Sequence, residues 1–385
     1  MPQTSTMPLS APATATHQRS SASASHQVLL TVSGVMSSDL EQQIAEGGRP
    51  HADYLVMAEH FGADLLDYAE ARRTSGWLGR VLETLGGPNL LLAWACYQRR
   101  HRYKVLFTDG EQVGIPYALM ARLFGGEQPQ HMMVAHILSV GKKTWLFDRF
   151  GLAADIHFLV YSTWQKRFIE DRWNVPPEQV TFTPFMVDSQ FFSADQVTPG
   201  QSELSEQLND GRPMICAVGL ERRDYPTLMK AVSGLDVHLV VAAGSPWSKQ
   251  KDSTEGESIP ENVTVRRFSL HELRQLYADS RFLVMPLFDV DFQAGVTAML
   301  EAMAMGKSMV CSRTAGQTDV VVEGETGLYV KPGDVAELRD AIHLLLDNPD
   351  VADSMGHNAR RLIEDEMSLD RYVARLGELV EDHQG

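Results

Sequence analysis

The residues best suited to chemistry lie in residues 291–334, DFQAGVTAMLEAMAMGKSMVCSRTAGQTDVVVEGETGLYVKPGD. A loop containing Ala294-Gly295 leads through Val296 and Thr297 into an apolar helix that carries one acid, Glu301. A glycine-bearing turn from strand into helix offers unpaired N–H groups and a positive dipole end, which together favour an anion such as a phosphate. An acid about two turns inside that helix is placed to meet the hydroxyls of a ribose attached to that phosphate. A second reading also fits: Met299, Leu300, Met303 and Met305 are packing residues, and Glu301 is a satisfied core acid. Arg222-Arg223 is the next cluster. Two guanidinium groups suit a diphosphate, because they stay charged and each can bond two oxygens. A solvated loop pair with Asp224 explains them equally well.

Other candidates follow the ends of apolar runs. His136 closes the run beginning at His131, and Asp109 and Glu111 follow Lys104–Thr108. An acid there can orient or deprotonate an acceptor hydroxyl, although Asp109-Gly110 is also ordinary turn chemistry. Asp289-Val290-Asp291 spells D-x-D, but two carboxylates make a minimal metal site, and no metal is expected. The segment Tyr97–Lys104, YQRRHRYK, follows an apolar stretch and is a candidate for peripheral contact with an anionic membrane. Lys142-Lys143-Thr144-Trp145 is a weaker one.

The elements that position these residues alternate in type. Apolar strands are expected at Val28–Ser33, Lys104–Thr108, His131–Leu138, Ile156–Ser162 and Val180–Pro184. A second series follows at Met214–Leu220, Val237–Ala243, Val263–Phe268, Phe282–Pro286, Ser308–Ser312 and Gly327–Val330. Helical patterns fall between them, including Ile115–Phe124, Trp164–Trp173, Tyr225–Ser233, Leu270–Ser280, Val296–Met305 and Val335–Asp347. Continuous apolar strands alternating with helices mean parallel sheets covered on both faces. The expected fold is therefore α/β, with two Rossmann-like domains facing across a cleft. The domains read as 27–194 and 211–368, joined by a polar linker at 195–210, with a closing helix at 369–385 available to pack back on the first domain. Residues 1–26 are Ser, Thr, Ala, Pro and Gln with one Arg and no acid, and read as a disordered tail.

Composition narrows the class. The 385 residues are 44% hydrophobic and 22% charged, ordinary for a globular protein. No apolar run reaches membrane-spanning length. The three cysteines are far apart, which suggests free thiols in a reducing compartment and a cytoplasmic setting. The net charge of −16 disfavours nucleic acid as a partner. Nearly all of it lies in the second half, since residues 1–190 carry 16 Lys+Arg against 18 Asp+Glu.

Four segments carry a family resemblance. LEAMAMGKSMV from Leu300, CAVGLERRDYPTLMKAV from Cys216, VEGETGLYVKPGDVAELRDAI from Val322 and WNVPPEQVTFTPFMVDSQFF from Trp173 resemble, in order and spacing, the retaining GT-B glycosyltransferases of the family 4 group. The resemblance implies a GT-B fold and transfer of a sugar from a nucleotide-diphospho-sugar to an acceptor hydroxyl, with retention and without metal. It implies that basic residues at Arg222 or Arg223 hold the donor diphosphate, with help from the amides of Ala294, Gly295, Val296 and Thr297. It implies that Glu301 holds the ribose and that His136 reaches the donor sugar. The family's first acid, eight residues before Glu301, is here Gln293, which can donate as well as accept. Asn174 and Met186 replace family glycines, while Asp188 and Phe192 keep their places. No cofactor is implied beyond the nucleotide sugar, and the acceptor (glycan, lipid or small molecule) is not specified. Two alternatives remain: a sugar-nucleotide epimerase or hydrolase on the same scaffold, and a catalytically silent sugar-nucleotide-binding protein. A dinucleotide oxidoreductase is disfavoured, because no G-x-G-x-x-G follows a strand.

Overall fold

The computed structural model describes residues 27–243 and 259–383. The expected disordered tail, 1–26, lies outside the described residues. Two parallel six-stranded sheets form the frame. In the first, Val28–Thr31 (β1), Ala63–Leu66 (β2), Val105–Thr108 (β3), Gln130–Ala135 (β4), Ile156–Val160 (β5) and Val180–Phe182 (β6) run in the order 2-1-3-4-5-6. In the second, Met214–Val218 (β7), His238–Ala242 (β8), Val263–Arg266 (β9), Phe282–Met285 (β10), Ser308–Ser312 (β11) and Gly327–Val330 (β12) run in the order 12-11-10-7-8-9. Strand residues such as VLLT, VLFT, IHFLV and MICAV are buried throughout, as helices on both faces require. Each sheet changes direction at a crevice, between β1 and β3 in the first and between β7 and β10 in the second. Ligands of open α/β sheets bind at such points, beyond the carboxyl ends of the strands.

Expected and observed elements differ mainly at their ends. The strand β2 adds to the expected strands; ADLL gives no strand signal because it is short, carries Asp64 and lies on a sheet edge. The helix expected from Ile115 begins at Glu111, four residues earlier, where Gly114 and Pro116 obscure its periodicity. The domain boundary also moves. Val187, Phe191, Phe192 and Leu204 belong to the core of the second domain. The segment taken as a linker is bound to the helix Leu270–Asp279 through Asp279, which accepts from the Gly200 amide (2.7 Å), Ser202 Oγ (2.6 Å) and Ser205 Oγ (2.6 Å). Polar composition there reflects hydrogen bonding to Asp279 rather than a free tether.

The true crossing lies near Val187, and the chain crosses a second time beside it. After the helix Pro349–Leu362 and a π-turn at Ile363–Met367, the helix Leu369–Asp382 returns to the first domain. The two crossings are hydrogen-bonded to each other: Val187 N–H donates to Met367 O (3.0 Å) and Leu369 N–H to Val187 O (2.9 Å). The returning helix places Leu369, Tyr372, Val373, Leu376 and Val380 in the core of the first domain. Its Tyr372 hydroxyl lies 2.9 Å from that of Tyr161. Asp188 fixes the crossing from the other side, accepting from the His51 amide (2.8 Å) and from the amides of Gln190 and Phe191 (3.0 Å each).

Candidate functional site

The crevice of the second domain is built from the loops after β7 and β10. They join through Phe288 N–H to Arg222 O (3.0 Å) and Asp224 N–H to Pro286 O (3.0 Å). Arg222 takes a left-handed conformation, φ 58°, which is costly for a residue with a Cβ. It leaves the Arg222 side chain exposed and turns Arg223 inward. Arg223 is buried; its Nε donates to Val218 O (2.8 Å) and one terminal nitrogen to Glu221 O (2.6 Å). The sequence left the two arginines equivalent, and the structure directs Arg223 into the crevice.

Gly295 receives it. This residue precedes the helix Val296–Ala304 at φ 80°. A Cβ here would stand 2.8 Å from Met285 Sδ and 3.0 Å from a terminal nitrogen of Arg223. Only glycine allows the guanidinium to lie against this helix start. The first-turn amides are orphan donors, with Thr297 exposed and Val296 buried. Ala294 differs from expectation: its N–H donates to Phe292 O (2.8 Å) and its carbonyl accepts from Gln317 Nε2 (2.7 Å). Its amide is therefore committed to a turn, leaving Gly295–Thr297 as the anion-facing part.

Glu301 lies in the same helix, buried, and accepts from the Tyr277 hydroxyl at 2.8 Å. Desolvation pushes its carboxyl up to about 7, and the Tyr277 bond opposes this. One hydrogen bond leaves much of the capacity of a carboxylate unused. Gln293 Oε1 is buried without a hydrogen-bond partner among the described residues, as are Thr314 Oγ1 and Gln317 Oε1. Orphaned buried oxygens beside a crevice are what a ligand's hydroxyls can satisfy. Thr314 and Gln317 are not among the residues expected from sequence. The one signal for them is TAGQ, one residue after β11, where a Cβ on Gly316 would fall 2.3 Å from the Phe292 backbone.

In the first domain a cavity of about 180 Å³ opens beyond β1, β3, β4 and β5, lined in part by Asp53, Asp109, His136, Tyr161 and Tyr372. Asp109 ties β3 to β1, accepting from Thr31 Oγ1 (2.7 Å), the Ser33 amide (2.6 Å) and Ser33 Oγ (2.9 Å). His136 follows the end of β4 and is exposed, its ring centroid 5.6 Å from that of Tyr161. Glu111 does not face the cavity as an unengaged acid. It is buried, paired with Lys143 at 2.7 Å, and accepts from the amides of His136 (2.9 Å) and Ile137 (3.2 Å). Beginning a helix one turn earlier than expected aims its carboxylate at the loop that carries His136. Desolvation works to raise its carboxyl, but its neighbours His136 and Lys143, with the hydrogen bonds from Lys143 and the His136 amide, hold it below the usual range.

The domains also touch directly. Asp319, in the loop after β11, accepts from the amide (3.0 Å) and hydroxyl (2.8 Å) of Thr163, which opens the first-domain helix Thr163–Trp173. Among the described residues no group of three His, Cys, Asp or Glu is placed to hold a metal ion, and no helix is long and apolar enough to cross a membrane. The basic segment Tyr97–Lys104 is engaged in its first half. Tyr97 is buried with Arg100 3.9 Å above its ring, and Arg99 donates to Ala95 O at 2.9 Å. His101, Arg102 and Lys104 of the same segment are exposed.

The comparisons with known proteins agree with this geometry. A profile of the glycosyl transferases group 1 matches residues 217–348, the half containing Arg223, Gly295 and Glu301. The chain is 26% identical over 205 residues to alpha-D-kanosaminyltransferase of Streptomyces kanamyceticus, an alignment spanning 51% of this chain and 52% of that relative. It is 23% identical over 359 residues, 87% of this chain and 90% of the other, to a GDP-mannose-dependent alpha-(1-6)-phosphatidylinositol monomannoside mannosyltransferase of Mycobacterium tuberculosis. In fold it resembles Anabaena HepE, solved with UDP and glucose (TM-score 0.65, 14% identity, 92% of this chain and 99% of that one). It also resembles sucrose-phosphate synthase of Thermosynechococcus elongatus (TM-score 0.65, 16% identity, 92% and 98%).

Proposed function

We propose that this chain, whose residues 217–348 match the glycosyl transferases group 1 model, moves a sugar from a nucleotide-diphospho-sugar to an acceptor hydroxyl, with retention and without a metal. The observation that carries this reading is Arg223 lying against Gly295 where the second sheet changes direction. As the sugar–oxygen bond breaks, the departing diphosphate gains charge, and preformed donors aimed at it lower the barrier. Arg223 and the Gly295–Thr297 amides are those donors, and Arg222 is a flexible second cation at the rim. Glu301 accepts from the ribose hydroxyls. Gln293 and Gln317 meet the transferred sugar with their orphaned oxygens. His136 approaches from the first domain, with Glu111 and Lys143 positioning its loop. The acceptor hydroxyl enters through the first-domain cavity. The buried free thiols Cys96, Cys216 and Cys311 support a reducing, cytoplasmic setting.

A thermal-shift screen with UDP, GDP, ADP and their sugars tests the reading, since a ligand that binds only the native state raises the melting temperature. A shift is expected with one base, lost in Arg223→Ala. Donor turnover should survive EDTA. Full loss on chelation with recovery on Mg²⁺ or Mn²⁺ would sink the metal-free mechanism and turn attention to Asp289 and Asp291.

A further inference from the structure

The first-domain cavity has an unbalanced charge. Its lining includes Asp53 and Asp109, with His136 as the one basic side chain and no Lys or Arg. Asp53 opens the helix Asp53–Phe61, where one carboxylate oxygen accepts from the Tyr54 amide at 2.9 Å. Asp109 is held by its bonds to Thr31 and Ser33. The remaining wall is mostly apolar, part aliphatic and part aromatic, with Tyr54, Phe107, Tyr161, Phe185 and Tyr372 supplying the rings. Aromatic faces suit the C–H face of a sugar or cyclitol ring, and the volume of about 180 Å³ leaves room for one such ring and little more. Burial raises the carboxyl of Asp53, and the charge of Asp109 raises it further. Each would be relieved by a donor or a cation brought in by a ligand.

Resting on the transferase reading above, we propose that this cavity is the acceptor subsite, and that Asp53 selects ring acceptors that are neutral or bear an amine while rejecting those that bear a phosphate or carboxylate. A ring hydroxyl donates to the free side of the Asp53 carboxylate, and an ammonium adds a charge-assisted bond. A phosphate entering the same space meets two carboxylates against the single imidazole of His136 and no lysine or arginine, so the site discriminates by repulsion as well as attraction. The returning Leu369–Asp382 helix contributes Tyr372 to the wall, so the subsite is completed by the last part of the chain.

The test uses the full chain and two probe pairs, glucose with glucose 6-phosphate and glucosamine with glucosamine 6-phosphate. Binding is read by saturation-transfer NMR and transfer by release of nucleoside diphosphate from the donor found in the screen. Glucose and glucosamine should give signal and the 6-phosphates none. Asp53→Asn should reduce the preference for glucosamine over glucose by roughly tenfold, the loss of one charge-assisted contact. Asp53→Lys should admit the phosphates. Melting curves confirm that both variants fold, and Asp53→Asn keeps the shape if the lysine does not. Phosphorylated and free sugars binding equally, no binding by any probe, or an unchanged preference in Asp53→Asn each overturns the proposal. Donor turnover without charge discrimination would sink this inference alone. Discrimination without turnover of any donor would sink the transferase reading and leave the subsite standing.

Discussion

A terminal nitrogen of Arg223 stands 3.0 Å from the point where a side chain on Gly295 would begin. Two loops far apart in sequence thus share one space, a charged group from one filling the gap left by a glycine in the other. Gly295→Ala should move Arg223 off the helix start and add strain of about 1 kcal/mol from its positive φ. Nucleoside diphosphate affinity should fall by about tenfold or more, since a charged hydrogen bond contributes about 1.5–3 kcal/mol. Calorimetry should show Arg223→Ala losing a similar amount and Arg222→Ala little. Equal losses at Arg222 and Arg223 would mean the inward turn of Arg223 has no part in binding.

Glu301 predicts a pH dependence. Its carboxyl is raised from 4.5 to about 7, so the folded chain holds a proton there that the unfolded chain releases. Ionisation of Glu301 therefore works against the fold as pH rises through that window, by about 3 kcal/mol once complete. Glu301→Gln keeps an acceptor for Tyr277 and removes the charge. The ligand-free variant should melt higher than the parent at pH 8, with the difference shrinking toward pH 5. Ribose hydroxyls favour the ionised acid, so nucleotide binding to the parent should release a proton near neutral pH. Calorimetry in buffers of different ionisation enthalpy measures it. A variant that melts lower and binds nucleotide as before would make Glu301 a core acid only.

Glu111→Ala should uncouple stability from donor binding. It strands Lys143 and the amides of His136 and Ile137, at a cost of about 2–3 kcal/mol. The Glu111 carboxyl is held low, so its contribution is present above the ordinary glutamate range and is lost as pH falls through the folded value. The stability gap between parent and variant in denaturant curves should be full at pH 7 and narrow only as pH falls below the ordinary glutamate range. kcat should fall with the displaced His136 loop, while nucleotide affinity stays near that of the parent.

Gln293→Glu should alter which sugar is accepted and leave free-nucleotide affinity nearly unchanged. The orphaned Gln293 oxygen is assigned to the sugar, beyond the diphosphate from Glu301. A buried unpaired donor or acceptor costs about 1–3 kcal/mol, enough to change preference tenfold. Competition among nucleotide sugars on one base gives the answer. Equal changes in nucleotide affinity and sugar preference would place Gln293 elsewhere.

The strands β11 and β12 and the helix Val335–Asp347 were legible to the residue, because each is an apolar run bounded by Gly, Pro or a capping Asp. The first domain was harder. Its long helical segment Gly76–Arg99 contains Gly87 and Pro88, which turn the chain and break the pattern. The choice between Arg222 and Arg223 depends on a single left-handed φ, which no local residue type announces. Asp53 carried no signal at all, since the cavity it lines is assembled from separate segments, including the end of the chain.

The paired crossings at Val187 and Met367–Leu369 have a mechanical meaning. A protease that cuts one of them nicks the molecule without parting it, because the other still spans the cleft and the Leu369–Asp382 helix is embedded in the far domain. Because the two straps are hydrogen-bonded side by side, neither can be displaced without straining the other.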